Sequence, residues 1–315
     1  MKITIAGAGA MGSRLAIALA EKGQDVQVVD SWQEHVDAIR GRGLIADCEG
    51  QEKIVRLPAY HMNSIPKELS ADLIIVLTKA MQLDGMLNKI QTMIHSDTQV
   101  LCLLNGIGHE EVIEKYVARE NILLGNTMWT AGMEGPGRVK LFGDGFIVMK
   151  NLVDQEKAVE KAHEVAKILS DAGLNASYSQ DILYAIYKKA CVNGTMNGLC
   201  TLLSSNMADF GQTRASHDIL TAIVSEFAAV AEVEGVHLEV ADIVKYIEES
   251  CYNRETIGLH HPSMYQDLII NKRSTEIDYI NGAVVRKGKR YGIATPYCQF
   301  LTQLIHSKED LLDAK

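Results

Sequence analysis

A short strand, a glycine turn and a helix at the start of the chain leave few folds open to it. Lys2-Ile3-Thr4-Ile5-Ala6 reads as a buried strand and runs directly into Gly7-Ala8-Gly9-Ala10-Met11-Gly12. Residues 13–22 then carry Leu15, Ala16, Ile17, Leu19 and Ala20 of a helix, which Gly23 ends. In such a turn the first glycine permits the tight bend and the second lets backbone approach a pyrophosphate. The third lets helix and strand pack closely, and the helix N-terminus favours the negative charge. The glycine pattern alone is weak evidence. Here a second strand, residues 25–30, follows and ends on Asp30, eighteen positions past Gly12. Together these features point to dinucleotide binding at Gly7, Ala8, Gly9, Ala10, Met11, Gly12 and Asp30. The bland alternative is a glycine-rich turn without a ligand.

Asp30 bears on which dinucleotide is taken. A carboxylate there accepts hydrogen bonds from a ribose diol and repels a 2′-phosphate, so NAD(H) is favoured over NADP(H). Arg14 or Arg40 could neutralise such a phosphate, which keeps NADP(H) open.

The rest of the first half continues the pattern. A helix is expected over 32–41. Apolar runs at 73–78, 100–105 and 122–125 read as strands buried on both faces. Strands alternating with helical stretches predict βαβ units and a parallel sheet. Between 126 and 149 glycines at 132, 135, 137, 143 and 145 separate short β-rich pieces, read as an antiparallel extension of that sheet. A helix over 154–172 and a strand at 176–178 close this part. Beyond about residue 180 only helices are expected, at 181–203, 214–235, 239–252, 263–271, 275–290 and 295–312, with Gly235 and Pro296 as punctuation. The predicted fold is α/β: a Rossmann-type dinucleotide-binding domain over 1–179 and an all-helical substrate and catalytic domain over 180–315.

Hydrophobic residues make up 47% of the 315, enough for a substantial core. A net charge of −9 argues against a nucleic-acid partner, which needs a basic surface. The six cysteines form no CxxC pair and match no zinc spacing, so free thiols and no metal are expected. No apolar run approaches the roughly 18 residues of a membrane span, and the opening residues read as a strand rather than a signal peptide. A cytoplasmic enzyme without membrane association is the expectation.

In the helical half, Lys189, Asn193 and Asn197 are spaced four residues apart, twice. Each such step turns a helix about 400°, so the three share one face. One ammonium and two carboxamides could hold a small polar substrate. An exposed helix face has the same look, but Ala190, Cys191, Val192 and Met196 beside them favour burial.

Further stretches accompany these: Thr78-Lys79-Ala80-Met81-Gln82, Leu104-Asn105-Gly106, Ser263-Met264-x-Gln266-Asp267 and Thr275-Glu276-Ile277-Asp278-Tyr279-Ile280-Asn281-Gly282. With the glycine turn and the lysine–asparagine helix they resemble the ketopantoate reductase family, the 2-dehydropantoate 2-reductases and their relatives, over nearly the whole chain. The resemblance implies Lys189 as catalytic acid and Glu276 as a catalytic residue that helps hold substrate and cofactor. It implies Asn105, Asn193, Asn197 and Ser263 in the substrate pocket. It also implies cofactor contacts from Lys79, Gln82, Asn105, Ala131 and Glu276.

Two departures from the biosynthetic reductases stand out. Those enzymes resemble one another in a basic residue after the second strand, where this chain has Asp30-Ser31-Trp32. His260 stands where they carry an asparagine that grips the substrate's terminal hydroxyl. Both departures, and Trp129 through Gly137, resemble a subgroup of NAD-dependent D-2-hydroxyacid dehydrogenases, such as those for D-mandelate or D-hydroxyisocaproate. The expected reaction is hydride transfer between a nicotinamide cofactor and a branched or aromatic 2-keto acid, with His260 as a further substrate contact. The alternative is reduction of ketopantoate in pantothenate synthesis. A homodimer through the helical domain is also expected.

Overall fold

Continuous apolar runs become the centre of one large sheet. The computed structural model describes residues 1–255 and 257–314. The chain divides into two compact units, one holding Met1–Leu104 and His109–Ile182, the other Asn105–Gly108 and Leu183–Lys315.

In the first unit β1 (Lys2–Ala6), α1 (Ala10–Glu21), β2 (Asp25–Asp30) and α2 (Gln33–Arg42) follow in order. Then come β3 (Leu44–Cys48), β4 (Gln51–Val55), β5 (Ala59–His61), β6 (Leu73–Val76), α3 (Leu83–Ile90), β7 (Gln99–Cys102) and α4 (Glu110–Ile113). The unit is completed by β8 (Ile122–Thr127), β9 (Thr130–Gly135), β10 (Arg138–Phe142), β11 (Ile147–Asn151), α5 (Glu156–Leu169) and β12 (Ala176–Tyr178). The main sheet has the order β12-β11-β8-β7-β6-β1-β2-β5. Its pairings are parallel except β8 with β11.

Successive side chains of a strand face opposite ways, so a strand covered on both sides must be apolar throughout. Ile3 and Ile5 of β1, Leu73 and Ile75 of β6 and Leu101 of β7 join one core with Leu15 and Leu19 of α1, Val36 of α2 and Val165 of α5. Ala6, Ile74, Val76, Val100 and Cys102 enter the opposite core, with Leu83, Met86 and Leu87 of α3 and Ile113 of α4.

The stretch expected as an antiparallel extension divides between two sheets. β11 does extend the main sheet, antiparallel to β8. β9 and β10 leave it and form a second sheet of order β4-β3-β10-β9. The cause is packing at α1: Leu44 and Ala46 of β3 and Val139 of β10 are buried in the same core as Leu15 and Leu19. β3 and β4 lack the long apolar run that marks a central strand, and all of β4 is at least partly exposed, so periodicity could not announce them.

The second unit is helical: α6 (Ile182–Leu203), α7 (Met207–Gly211), α8 (Ser216–Val233), α9 (Val240–Cys251), α10 (Ser263–Tyr265), α11 (Asn281–Tyr291) and α12 (Pro296–Leu311). The helix expected over 263–271 is α10 followed by a wider π-turn, Gln266–Ile270. The one expected over 275–290 is broken. A 3₁₀ turn, Ile277–Tyr279, precedes α11, and Ile280 between them is non-helical at φ −116°, ψ −93°. The Tyr279 carbonyl accepts from the Ile107 amide at 2.9 Å instead of serving a continuous helix.

α6 is buried around most of its circumference from Ala190 to Cys200. Its interior hydroxyls bond the helix's own carbonyls, Thr195 to Cys191 at 2.8 Å and Thr201 to Asn197 at 2.7 Å. Small residues admit its neighbours. A Cβ on Gly194 would lie 2.4 Å from Phe227 Cζ of α8. Phe227 itself is fully buried.

Direct contact at Gly194 carries a measurable consequence. Gly194→Ala destabilises by about 1–3 kcal/mol through overpacking, and Phe227→Ala by about 3–5 kcal/mol through a cavity. The double variant falls well short of their sum in urea unfolding, because the cavity accepts the new methyl. Additivity to within about 0.5 kcal/mol would remove the contact from the account.

Candidate active site

Strand order in the first unit supplies a candidate cofactor crevice. The chain passes from β1 to β2 on one side and reaches β6 on the other, so the connections leaving β1 and β6 diverge. In open α/β sheets such a switch point opens a crevice at the strand ends. The glycine turn lies there. Gly7 has φ +97°, and a Cβ on it would sit 2.6 Å from the Thr78 amide nitrogen. A Cβ on Gly12 would sit 1.9 Å from the Gly7 carbonyl oxygen. Gly9 is exposed and a Cβ there meets nothing within 4 Å. It precedes α1 without a side-chain cap, and no acidic residue stands in the first turn. Thr78 Oγ1 is buried with no hydrogen-bond partner. Uncapped amides at a helix N-terminus beside an unpaired hydroxyl suit a phosphate-bearing ligand.

Asp30 ends β2 with both carboxylate oxygens engaged. Oδ2 accepts from the Ala8 amide at 2.6 Å and Oδ1 from the Trp32 amide at 2.8 Å. The two arginines that could have served a 2′-phosphate are held elsewhere. Arg14 donates to the carbonyls of Thr130 at 2.8 Å, Gly143 at 3.3 Å and Phe142 at 3.4 Å, with its guanidinium 4.1 Å from the Trp129 ring centroid. Arg40 Nε donates to the Ala59 carbonyl at 2.7 Å. Lys79 and Gln82 are exposed just beyond β6, flanking and ending a 3₁₀ turn, Ala80–Gln82. Ala131 lies on β9, opposite Leu141 of β10.

One residue the sequence reading passed over touches the glycine turn. His35 of α2 is fully buried. Its Nε2 lies 2.8 Å from the Ala8 carbonyl oxygen and its Nδ1 2.8 Å from the Gly137 amide. Its spacing from Asp30 marks nothing by itself; only the fold brings it under the turn.

The remaining candidates all lie in the second unit. Lys189 and Asn193 are half-buried and Asn197 is buried on α6. Burial pushes the Lys189 ammonium below the ordinary lysine value of 10.5. Lys188 has a different environment, its ammonium 3.6 Å from the Tyr246 ring centroid of α9. The Asn105–Gly108 loop is bound to the 3₁₀ turn by the Ile107–Tyr279 hydrogen bond. Glu276, half-buried, precedes that turn. Thr275 Oγ1 accepts from the Ile277 amide at 3.3 Å, and the Thr275 amide donates to Glu309 at 2.6 Å. Asn281 Nδ2 donates to the Gly194 carbonyl at 2.9 Å, joining α11 to α6 next to Asn193.

His260 and Ser263 are exposed. Ser263 opens α10 after Pro262 and caps nothing with its side chain. Their loop is tied to the segment after α6: the Ala208 amide donates to the Gly258 carbonyl at 2.8 Å, and His261 Nδ1 is 3.2 Å from the Ser205 carbonyl. Among the described residues no cluster of His, Cys, Asp and Glu could hold a metal ion, and no helix is long and apolar enough to cross a membrane.

The chain as a whole has counterparts among known proteins. Residues 3–154 match the profile of the family described as ketopantoate reductase PanE/ApbA, and residues 181–309 match its C-terminal counterpart. A 2-dehydropantoate 2-reductase of Lactococcus lactis subsp. lactis (strain IL1403) is 59% identical over 315 residues, all of both chains. One from Streptococcus pyogenes serotype M3 (strain ATCC BAA-595 / MGAS315) is 43% identical over 313 residues, 99% of each. A solved structure of D-mandelate dehydrogenase with NADH and anilino(oxo)acetate matches with 57% identity and a TM-score of 0.91 over the full length of both chains. The chain is thus an oxidoreductase that belongs to the ketopantoate reductase family.

Proposed function

We propose that the chain is an NADH-dependent reductase of branched or aromatic 2-keto acids, working reversibly on the D-2-hydroxy acid. The observation that carries this reading is the carboxylate of Asp30, oriented by two amides while Arg14 and Arg40 are committed to carbonyls. A 2′-phosphate beside Asp30 would meet negative charge without compensation from either arginine. The D-mandelate dehydrogenase neighbour, described with NADH and an aryl-bearing oxo acid, supports the same cofactor and substrate class. A second reading, reduction of 2-dehydropantoate, is favoured by the name of the 59% identical relative.

The functional division we propose falls at residues 179/180, with most cofactor contacts before it and most substrate contacts after it. Gly7 to Gly12, Asp30, Lys79, Gln82 and Ala131 would hold the dinucleotide, together with Asn105 and Glu276. The nicotinamide, when bound, supplies the hydride. Lys189 stabilises the negative charge that develops on the carbonyl oxygen and delivers the proton. Its lowered proton affinity suits it to both directions of the reaction. Asn105, Asn193, Asn197, Ser263 and His260 offer hydrogen bonds to the carboxylate and side chain of the substrate. Glu276 holds the ammonium or bonds the reacting hydroxyl. A cytoplasmic homodimer accompanies this reading. The exposed Tyr297, Phe300 and Leu304 along α12 supply an apolar stripe for the second copy.

Four measurements test it. Turnover of phenylglyoxylate and 2-ketoisocaproate with NADH exceeds that of ketopantoate with NADPH; the reverse order supports the second reading. Asp30→Ala weakens NADH binding by about 10- to 100-fold, the loss of charge-assisted hydrogen bonds. It affects NADPH less, because the repelling charge is gone; equal losses would overturn the selectivity argument. Lys189→Ala lowers kcat by about 10²- to 10⁴-fold while NADH still binds. In the wild type, the reduction rate falls as pH rises through the lowered Lys189 pKa, before 10.5, and oxidation of the hydroxy acid rises over the same range. Opposed limbs absent from both directions would exclude Lys189 as the proton donor.

A further inference from the structure

We infer that His35 is a positioning residue for the dinucleotide: its imidazole sets the orientation of the Ala8–Gly9 peptide that faces the pyrophosphate. The inference rests on the cofactor reading above and concerns a residue that touches no ligand itself.

The tautomer follows from the partners. Gly137 N–H is a donor, so Nδ1 at 2.8 Å must be the acceptor. The proton then resides on Nε2, which donates to the Ala8 carbonyl at 2.8 Å. Ser13 Oγ donates to the same carbonyl at 2.7 Å, and the Ala8 amide donates to Asp30 at 2.6 Å. Both peptide groups of Ala8 are therefore fixed. A trans peptide is planar with C=O and N–H directed oppositely. Drawing the Ala8 oxygen inward toward His35 and Ser13 aims the Gly9 N–H outward, at the exposed, uncapped start of α1. That is where a pyrophosphate is received in this kind of turn.

The imidazole is held in turn. Trp32 stacks on it at 5.3 Å with an interplanar angle of 10°, and the Trp32 amide bonds Asp30. Gly137, the residue on Nδ1, has its own carbonyl bound by the Ile45 amide of β3 at 2.9 Å. His35 thus braces the glycine turn against the β9–β10 hairpin of the small sheet. Burial pushes its pKa below 6.5, against the opposing pull of Asp30, which keeps the ring neutral and the two roles distinct.

The test measures NADH binding by fluorescence titration, alongside cofactor KM and kcat, in His35→Phe and His35→Gln. Phenylalanine keeps the ring but donates nothing to Ala8. NADH affinity falls about tenfold, the scale of one buried hydrogen bond, with the loss on Kd and cofactor KM more than on kcat. His35→Gln, which can still donate to Ala8, recovers most of it. A folded His35→Phe protein with wild-type NADH affinity, or a loss that glutamine does not repair, overturns the inference. Should His35→Phe fail to fold, Ser13→Ala probes the same carbonyl. Weaker NADH binding supports the assignment, and unchanged binding refutes it. A wild-type chain that does not bind NADH in the same titration refutes the cofactor reading instead, so the two failures are distinguishable.

Discussion

The nucleotide unit depends on backbone meeting backbone at the switch point of its sheet. Gly7 and Gly12 touch where a single added carbon would lie 1.9 Å from a carbonyl oxygen. That approach lets α1 start directly at the end of β1, with its first amides uncovered. The proposed charge selection rests on the same geometry, because it brings the Ala8 amide within reach of the Asp30 carboxylate. Neither the proposed anion site nor the proposed preference at the ribose would survive a turn one side chain wider.

A different constraint governs the helical unit. α6 is nearly wrapped by its neighbours, so every polar group on it must be satisfied locally or reserved for use. Its threonines bond their own helix, and the Gly194 carbonyl takes Asn281. Burial also reaches the Lys189 ammonium, whose proton affinity it lowers. Holding a cation there costs stability, which accords with the proton transfer proposed for it. The interrupted helix before α11 belongs to the same arrangement, because the Tyr279 carbonyl released from helical bonding holds the loop that carries Asn105.

Legibility followed the range of the interactions involved. The strand–glycine–helix–strand–Asp30 series is local, and periodicity and turn chemistry reveal it. The runs at 73–76 and 100–102 are apolar because both faces are covered, which also shows in sequence. β3 and β4 gave no such sign, and β9 and β10, though read as β-rich, did not show a second sheet, since that sheet forms only when β10 pairs with β3, far away in the chain. The break at Ile280 was invisible for the same reason: its cause is an amide at Ile107. In the site, helical spacing placed Lys189, Asn193 and Asn197 on one face. Glu276, Ser263 and Lys79 could be named only by resemblance.

From residues alone come the α/β class, the glycine turn, the acidic end of β2 and the lysine–asparagine face, because each is written in short-range spacing. Folding alone decided that Arg14 and Arg40 spend their charge on carbonyls. It also lowered Lys189's hold on its proton and set His35 beneath Ala8. Those outcomes depend on partners up to 129 positions away in the chain. Burial and hydrogen-bond geometry are properties of the packed molecule, so no window of sequence contains them.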